Sequence, residues 1–283
     1  MILVTGANGV VGRPLVLKLA ELNTNYLSVS RKQLENHLQW DLGSDLNAEQ
    51  RAGLIGCTEL LHCAPIWLLP RHLPVLYDRG VRRVVAFSST SVISKRESSS
   101  PEEQCLVSRL SEAESDLKRF CSEHEVQLTI LRPSMIYGYG QDQNVSHIAR
   151  FIKRRGFMVL IGGAYGLRQP VHADDLVFAM LAVRDNRACF GKTYNLAGGE
   201  ALTYREMVKR IFSGLNRRAK FILVPLWFLR IALRAARWFK VFDYTPEMAD
   251  RMNQDLSYSN EAAEKDFSYH PQAFLVNPNR DLP

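Results

Sequence analysis

The chain has few cysteines and no long uninterrupted apolar run. Its five cysteines are an odd number and form no Cys-x-x-Cys pair, so neither a disulfide framework nor a thiolate zinc site is expected. The seven histidines do not occur at metal-ligand spacing, and we expect no bound metal. No stretch of about 18 uncharged apolar residues is present, which argues against a membrane span. Because the N-terminus also has no signal-peptide pattern, we expect a cytoplasmic protein.

Acidic residues are absent between Met207 and Phe242, although the chain as a whole has 29 of them. This interval holds nine lysines and arginines, and because the whole chain has a net charge of +7, the remainder carries −2. The excess positive charge is therefore local. The sequence predicts one basic C-terminal surface and no general affinity for nucleic acid.

Short β-rich segments alternate with helical patterns along the first half of the chain. The predicted strands are residues 2–5, 26–30, 59–63, 83–87 and 128–131. The predicted helices are residues 10–22 and 102–125, followed later by 174–184 and 203–212. This alternation predicts an α/β fold, with a doubly wound parallel Rossmann sheet and a smaller C-terminal α/β lobe. We assign residues 1–132 to a dinucleotide-binding domain completed by later segments, and residues 133–283 to a mixed, mainly substrate-binding lobe.

A glycine-rich turn joins the first predicted strand to the first predicted helix. Residues 5–12 read Thr-Gly-Ala-Asn-Gly-Val-Val-Gly. Gly6 permits a tight turn, Gly9 lets the backbone approach a pyrophosphate, and Gly12 allows close packing of helix and strand. The start of the helix offers unpaired N–H groups to phosphate oxygens. The pattern therefore predicts a dinucleotide site.

The second predicted strand ends without an acidic residue. An acid there would hold the ribose 2′-hydroxyl of NAD, but the chain has Ser30, Arg31 and Lys32. A guanidinium pairs well with a phosphate dianion, so Arg31 favours NADP(H), with NAD(H) still possible.

Several motifs, in one order along the chain, resemble those of the extended short-chain dehydrogenase/reductase family, the NAD-dependent epimerase/dehydratase group. Beside residues 5–12 they are the Asp-Leu pair at 41–42, Leu-His-Cys-Ala at 61–64, Phe-Ser-Ser-Thr-Ser-Val at 87–92, Leu-Arg-Pro-Ser-Met-Ile-Tyr-Gly at 131–138, Val-His-Ala-Asp-Asp-Leu at 171–176 and Tyr-Asn-Leu-Ala-Gly-Gly at 194–199. The resemblance implies contacts of Asp41 with adenine and of residues 61–64 with the adenosine ribose. It also implies that Pro133 lies near the nicotinamide.

The predicted site residues follow from the glycine turn, the second strand and this resemblance. The cofactor-binding candidates are Gly6, Asn8, Gly9, Val10, Val11, Gly12, Ser30, Arg31, Asp41, Leu42, Cys63, Ala64 and Pro133. The catalytic candidates are Ser89, Thr90 and Tyr137. Tyr139, Lys95 and Arg109 are weaker candidates for proton transfer, and Asp174 or Asp175 is expected to cap the helix that begins there.

The chain departs from the family at its catalytic Tyr-x-x-x-Lys pair. None of the ten tyrosines is followed by a lysine four residues later, and the stretch where the pair belongs, residues 105–110, reads Cys-Leu-Val-Ser-Arg-Leu. In the family this tyrosine exchanges a proton with a substrate oxygen. Hydroxyls such as Ser89 can hydrogen-bond a carbonyl oxygen but are too weakly acidic to shuttle protons unaided at neutral pH.

Two main functions therefore remain open, beside a third, a peripheral membrane-binding module. One is an epimerase/dehydratase- or reductase-like enzyme that acts by hydride transfer on a nucleotide-sugar or lipid-linked small molecule. The other is a catalytically silent NADP(H)-binding sensor, scaffold or assembly subunit, because the chain is also similar to atypical family members such as the NADPH-binding accessory subunit of respiratory complex I. A homodimer is possible for either function.

A basic amphipathic helix is predicted over residues 225–240. Its basic residues recur at spacings of four, three and three and share one helical face: Arg230, Arg234, Arg237 and Lys240. The stripe is typical of a solvated surface, of a clamp for the substrate diphosphate in related enzymes, or of peripheral contact with an anionic membrane. The sequence leaves these three interpretations open.

Overall fold

The computed structural model describes residues 1–31, 37–225 and 251–283, and within them the principal element is a seven-stranded sheet. All of its strand pairs are parallel, in the order β11-β6-β5-β4-β1-β2-β3. The strands are β1 Ile2–Thr5, β2 Tyr26–Ser30, β3 His37–Gln39, β4 Glu59–His62, β5 Arg83–Phe87, β6 Gln127–Pro133 and β11 Thr193–Leu196. The predicted doubly wound α/β fold is confirmed.

Different helices cover the two faces of this sheet. The helices α1 Gly12–Glu21, α7 Ala173–Arg184 and α9 Glu261–Phe267 pack on one face, against side chains such as Val4, Val85 and Leu131. The other face packs against α3 Leu73–Asp78 and α5 Pro101–Glu123 through side chains such as Leu3 and Ile130. Alternate residues of the buried strands thus point into separate apolar layers, as two-sided burial requires. Two short helices, α2 Ala48–Gly53 and α4 Ser91–Ser94, lie in the connections.

A smaller lobe has its own apolar cluster. Its helices are α6 Val145–Arg155, α8 Tyr204–Gly214 and α10 Pro278–Asp281. Three two-stranded sheets accompany them, formed by β7 Ile136–Tyr137 with β10 Val171–His172, β9 Leu167–Arg168 with β12 Leu202–Thr203, and β8 Met158–Ile161 with β13 Phe221–Val224. Side chains of α6, α8 and β8, including Ile152, Phe212 and Leu160, form its core.

The four helices predicted within the described ranges are present, with ends shifted by at most about two residues, but one predicted cap differs. Helix α7 begins at Ala173, so Asp174 and Asp175 lie in its first turn. The predicted aspartate cap is wrong, because the Nδ1 atom of His172 accepts the Asp174 backbone N–H at 3.0 Å and caps the helix instead. No helix in the described ranges is long and apolar enough to cross a bilayer. The predicted helix over 225–240 lies, after Pro225, outside the described residues.

Candidate functional site

The turn between β1 and α1 is packed so tightly that side chains are excluded at two glycines. A Cβ atom on Gly6 would lie 2.5 Å from the Ala64 backbone nitrogen, and Gly6 has a φ of +71°. A Cβ on Gly12 would lie 2.0 Å from the Gly6 carbonyl oxygen. Gly9 is exposed, and its N–H donates to the Gly6 carbonyl at 2.9 Å. The loop therefore presents backbone, with Asn8 and Val10, at the carboxyl edge of the sheet.

A buried histidine fixes the floor of this turn. His62, at the end of β4, is fully buried, and burial lowers its pKa to about 4, so the ring is neutral near pH 7. Its Nε2 lies 3.2 Å from the Pro65 carbonyl, which can only accept, so Nε2 carries the proton. Nδ1 then accepts the Thr5 hydroxyl proton at 2.7 Å. This chain of hydrogen bonds ties the end of β1 to the loop after β4.

The end of β2 lies beside the glycine turn. The Asn8 side-chain amide donates to the Ser30 hydroxyl at 3.2 Å, which connects the turn to the strand end. Arg31 is exposed directly after this strand. Lys32, the next basic residue of the predicted phosphate site, lies outside the described residues. Asn8, Ser30 and Arg31 thus lie at one edge of the sheet.

The Asp-Leu pair follows β3, the outer strand next to β2. Asp41 is exposed, and its Oδ1 accepts the Gly43 N–H at 3.0 Å, while Leu42 is buried. Trp40 donates its backbone N–H to the Ser30 carbonyl at 2.9 Å, so the pair is anchored to the end of β2. A cavity of about 440 Å³ lies here and includes Arg31 and Asp41 in its lining.

Cys63 and Ala64 extend the loop after β4. Ala64 is the residue that a Gly6 side chain would strike. Cys63 lies with its sulfur 3.8 Å from the Met180 sulfur, and burial raises the pKa of its thiol to about 12. Cys63 is therefore a packing thiol and not a nucleophile. Both residues lie at the carboxyl edge beside the glycine turn.

The ends of β5 and β6 bring the catalytic candidates Ser89 and Thr90 next to Pro133. Thr90 is buried, and its hydroxyl donates to the Pro133 carbonyl at 3.2 Å. The Ser89 hydroxyl is half-buried and interacts with the hydroxyl of Ser91 at 3.0 Å. Ser89 is therefore the more accessible of the two hydroxyls.

A carboxylate that the sequence reasoning missed supports these strand ends. Glu114 of α5 is 3% exposed, accepts the Ser88 hydroxyl at 2.6 Å and binds Arg132 through two donors, Nε at 2.8 Å and Nη2. Such a bidentate pair fixes geometry as well as charge. The sequence contains a signal for this buried carboxylate, because Glu114 is an acidic residue on the apolar face of α5. It lies four residues after Leu110 and three before Leu117.

Tyr137 and Tyr139 occupy different environments. Tyr137 is 1% exposed in the lobe, packs edge-on against His172 and Phe274, and its hydroxyl accepts the Leu275 N–H at 2.9 Å. Burial raises its pKa. The Tyr139 hydroxyl donates to Asp174, and burial together with that carboxylate raises the pKa of Tyr139. Neither phenol is prepared to act as a base near neutral pH.

Residues 105–110, where the family resemblance predicts the catalytic pair, lie on α5. Leu106 and Leu110, four residues apart on α5, pack in the core under the sheet. The Arg109 guanidinium lies over the Trp67 ring, 4.2 Å from its centroid. Lys95 pairs with Glu103 at 3.0 Å. Among the described residues, the side chains of this stretch therefore pack on α5 and against Trp67.

A cleft of about 670 Å³ separates the α4–α5 connection from the segment after residue 250. Its lining includes Ser94, Glu103, Arg251 and Tyr258. Glu103 pairs with Arg251 across the cleft as well as with Lys95. Burial alone would raise the pKa of Glu103, but the Ser98 hydroxyl and the Lys95 ammonium outweigh it and hold the pKa below its usual range. The cleft is therefore polar, charged and large enough for a small molecule.

The residues at the sheet edge fit a dinucleotide. The backbone-lined turn would hold the pyrophosphate, Asp41 the adenine and Arg31 a 2′-phosphate, while Ser89 and Pro133 stand at the adjacent strand ends. Among the described residues no group of three His, Cys, Asp or Glu side chains could hold a metal ion.

Comparison with known proteins places this geometry in a family. UDP-glucose 4-epimerase of Vibrio cholerae is 23% identical over an aligned length of 325 residues, gaps included. The alignment covers 99% of this chain and 97% of that enzyme. Subunit 9 of the mitochondrial NADH dehydrogenase (ubiquinone) 1 alpha subcomplex from Arabidopsis thaliana is 30% identical over 116 residues, 41% of this chain and 28% of that subunit.

Solved structures agree on the fold. UDP-glucuronic acid 4-epimerase from Bacillus cereus in complex with NAD superposes with a TM-score of 0.74, covering 98% of this chain and 93% of that chain at 14% identity. Residues 47–197, just over half of the chain, match the NAD dependent epimerase/dehydratase family. The chain therefore belongs to the NAD dependent epimerase/dehydratase family.

Proposed function

We propose that this protein binds a nicotinamide dinucleotide, NADP(H) in preference to NAD(H), and acts on a nucleotide sugar by an epimerase/dehydratase type of reaction. The observation that carries the proposal is the turn at Gly6 and Gly12, where backbone packing excludes any side chain. The full-length similarity to UDP-glucose 4-epimerase supports the substrate class.

The residues of this chain have distinct tasks in the proposed reaction. Residues 6–12 bind the pyrophosphate through backbone N–H groups, and Arg31 binds the 2′-phosphate. When bound, such a cofactor supplies a hydride acceptor and donor. Ser89 donates a hydrogen bond to the substrate oxygen, and the polar cleft beside Glu103 and Arg251 binds the substrate. Since Ser89 is no base at neutral pH, proton transfer needs a second group, such as substrate or water.

A catalytically silent binder is the second candidate. The stretch at residues 105–110 favours it, because the family resemblance puts the proton-transfer pair there and this stretch has neither tyrosine nor lysine. The local similarity to a subunit of mitochondrial NADH dehydrogenase also supports it. In this alternative the cofactor site serves as a sensor or an assembly element.

Cofactor binding and turnover distinguish the two candidates. The purified protein is titrated with NADPH by following nicotinamide fluorescence, then incubated with UDP-glucose, UDP-galactose and UDP-glucuronate while the sugars are analysed by NMR. We expect binding and slow sugar conversion that Ser89→Ala reduces at least about tenfold. Binding without turnover on any substrate would favour the silent binder. Failure to bind either nicotinamide dinucleotide would contradict both candidates.

The cofactor preference depends on Arg31. We expect Arg31→Asp to raise the Kd for NADPH about 100-fold, because a cation is replaced by a repelling carboxylate, while the Kd for NADH changes less than about threefold. The measurement is a paired fluorescence titration of both variants with both cofactors. Arg51→Asp, on the exposed helix α2, is the control for a change of surface charge. Equal losses for the two cofactors would contradict the 2′-phosphate assignment.

Two finer predictions extend the proposal. A homodimer formed through the long helix α5 is proposed from family resemblance alone. Peripheral membrane contact through residues 225–240 also stays a prediction, since residues 226–240 lie outside the described ranges.

A further inference from the structure

Two segments of the C-terminal lobe have no acidic residue. They are residues 143–173 and, within the described ranges, residues 207–225. The two segments pack against each other, because α6 contacts α8 and β8 pairs in parallel with β13. Their positive charges are therefore gathered on one part of the lobe and are not diluted by neighbouring carboxylates of the same segments.

The contacts at the C-terminal end of α6 bring five cations together. The Arg217 guanidinium donates to the Ile152 carbonyl at 2.9 Å, and the Lys220 carbonyl accepts the Met158 N–H at 2.9 Å. Helix α6 ends at Arg155, so the last turn of α6 and residues 217–220 lie side by side. We call this group the lobe-end cluster; its members are Arg154, Arg155, Arg217, Arg218 and Lys220.

The lobe-end cluster is exposed and has no counter-charge in the described part of the chain. All five residues are exposed, and the ion pairs formed among the described residues involve none of them. The helix macrodipole favours the cations of the last α6 turn and also Arg217, which donates to the Ile152 carbonyl there, but it does not account for Arg218 and Lys220. Five like charges on one small surface repel one another unless an anion screens them.

Exposed aliphatic side chains border the same cluster. Ile222 and Leu223 of β13, two and three residues after Lys220, are 48% and 53% exposed. A surface that combines clustered cations with protruding aliphatic residues matches the interface of an anionic bilayer, where headgroups meet acyl chains. Single-stranded nucleic acid would instead call for aromatic side chains on which bases stack, and the exposed neighbours here are aliphatic.

We propose that the lobe-end cluster, together with Ile222 and Leu223, binds the anionic surface of a lipid bilayer. The cations contact the phosphates of the headgroups, and the two aliphatic side chains enter the boundary with the acyl chains. This binding site is separate from the dinucleotide turn, and all of its named members are described residues. It makes the protein a peripheral binder of membranes whatever reaction the cofactor site supports.

Vesicle flotation of the full chain tests the charge requirement. We expect the protein to float with phosphatidylcholine vesicles that contain about one third phosphatidylglycerol, and to dissociate from them at high salt. It should not bind vesicles of pure phosphatidylcholine. The triple variant Arg154→Glu, Arg155→Glu and Arg218→Glu should partition at least about tenfold less onto anionic vesicles. The matched control is Lys18→Glu, Arg119→Glu and Lys265→Glu, which makes the same change of net charge at exposed sites elsewhere.

A second variant tests the aliphatic contact without changing charge. Ile222→Ser with Leu223→Ser should lower partitioning severalfold, and NADPH titration verifies that each variant keeps its folded cofactor site. Partitioning onto pure phosphatidylcholine vesicles that equals partitioning onto anionic vesicles would overturn the proposal. Equal partitioning of the triple variant and its control onto anionic vesicles would overturn it too. So would an oligonucleotide duplex that binds the wild type more tightly than the vesicles do and is unaffected by the serine substitutions. NADPH binding is measured separately, so failure at the membrane does not count against the cofactor site.

Discussion

The substitution Gly12→Ala is expected to remove dinucleotide binding and to destabilise the fold in one step. Its Cβ would lie 2.0 Å from the Gly6 carbonyl oxygen and 2.8 Å from the Gly6 carbonyl carbon, both backbone atoms that cannot rotate away. The start of α1 must therefore move away from the turn. We expect the Kd for NADPH to rise at least about 100-fold and the free energy of unfolding to fall by about 1–3 kcal/mol.

Fluorescence titration and urea unfolding measure the two effects. Gly53→Ala is the matched control, because Gly53 ends helix α2 and its added Cβ would meet only the Leu38 side chain, at 3.2 Å. This control should change the free energy of unfolding by less than about 0.5 kcal/mol. If Gly12→Ala kept wild-type NADPH affinity, the turn could not be the pyrophosphate site.

The substitution Arg83→Met is expected to cost about 3–5 kcal/mol of stability. Arg83 is 7% exposed, and its guanidinium donates to five acceptors. They are the carbonyls of Val84, Gln127, Val183 and Arg184 and the hydroxyl of Thr129. Burial lowers the pKa of Arg83 to about 10, which still leaves it charged at neutral pH. Methionine fills the space but removes the Arg83 hydrogen bonds to the last carbonyls of α7 and to those of two strands.

Urea unfolding followed by circular dichroism checks this loss. Arg82→Met is the control, because the neighbouring Arg82 is exposed and donates only to the Tyr77 and Val81 carbonyls. Its effect should stay below about 1 kcal/mol. Similar midpoints for the two variants would show that the carbonyls around Arg83 find water or other donors.

The central sheet was predictable because its strands are short apolar runs buried on both faces. Ile2–Thr5, Tyr26–Ser30 and Arg83–Phe87 have the predicted bounds. Strand β3, His37–Gln39, was missed because it has three residues at the outer edge and no apolar run. Helix α6 was also missed, since its apolar residues are interrupted by basic ones that only the lobe core explains.

The nucleotide-binding turn was predictable because glycines mark positions where the backbone must lie close to another group. The partners of the supporting side chains were not predictable, since they are distant in sequence: Thr5 is 57 residues from His62, and Arg132 is 18 from Glu114. The hydrogen bond from the Leu275 N–H to the Tyr137 hydroxyl was also not predictable, because only the fold brings these two groups together. Pairings of this kind depend on the finished packing and not on local pattern.

Strand β11 decides when the sheet can be completed during synthesis. It hydrogen-bonds to β6 along Thr193–Leu196, so β6 keeps an open edge until about two thirds of the polypeptide has left the ribosome. A fragment that stops at residue 132 would expose that edge as a template for intermolecular pairing. Soluble expression of the nucleotide-binding half alone therefore requires a fragment that extends through Leu196, so that β11 covers the edge of β6.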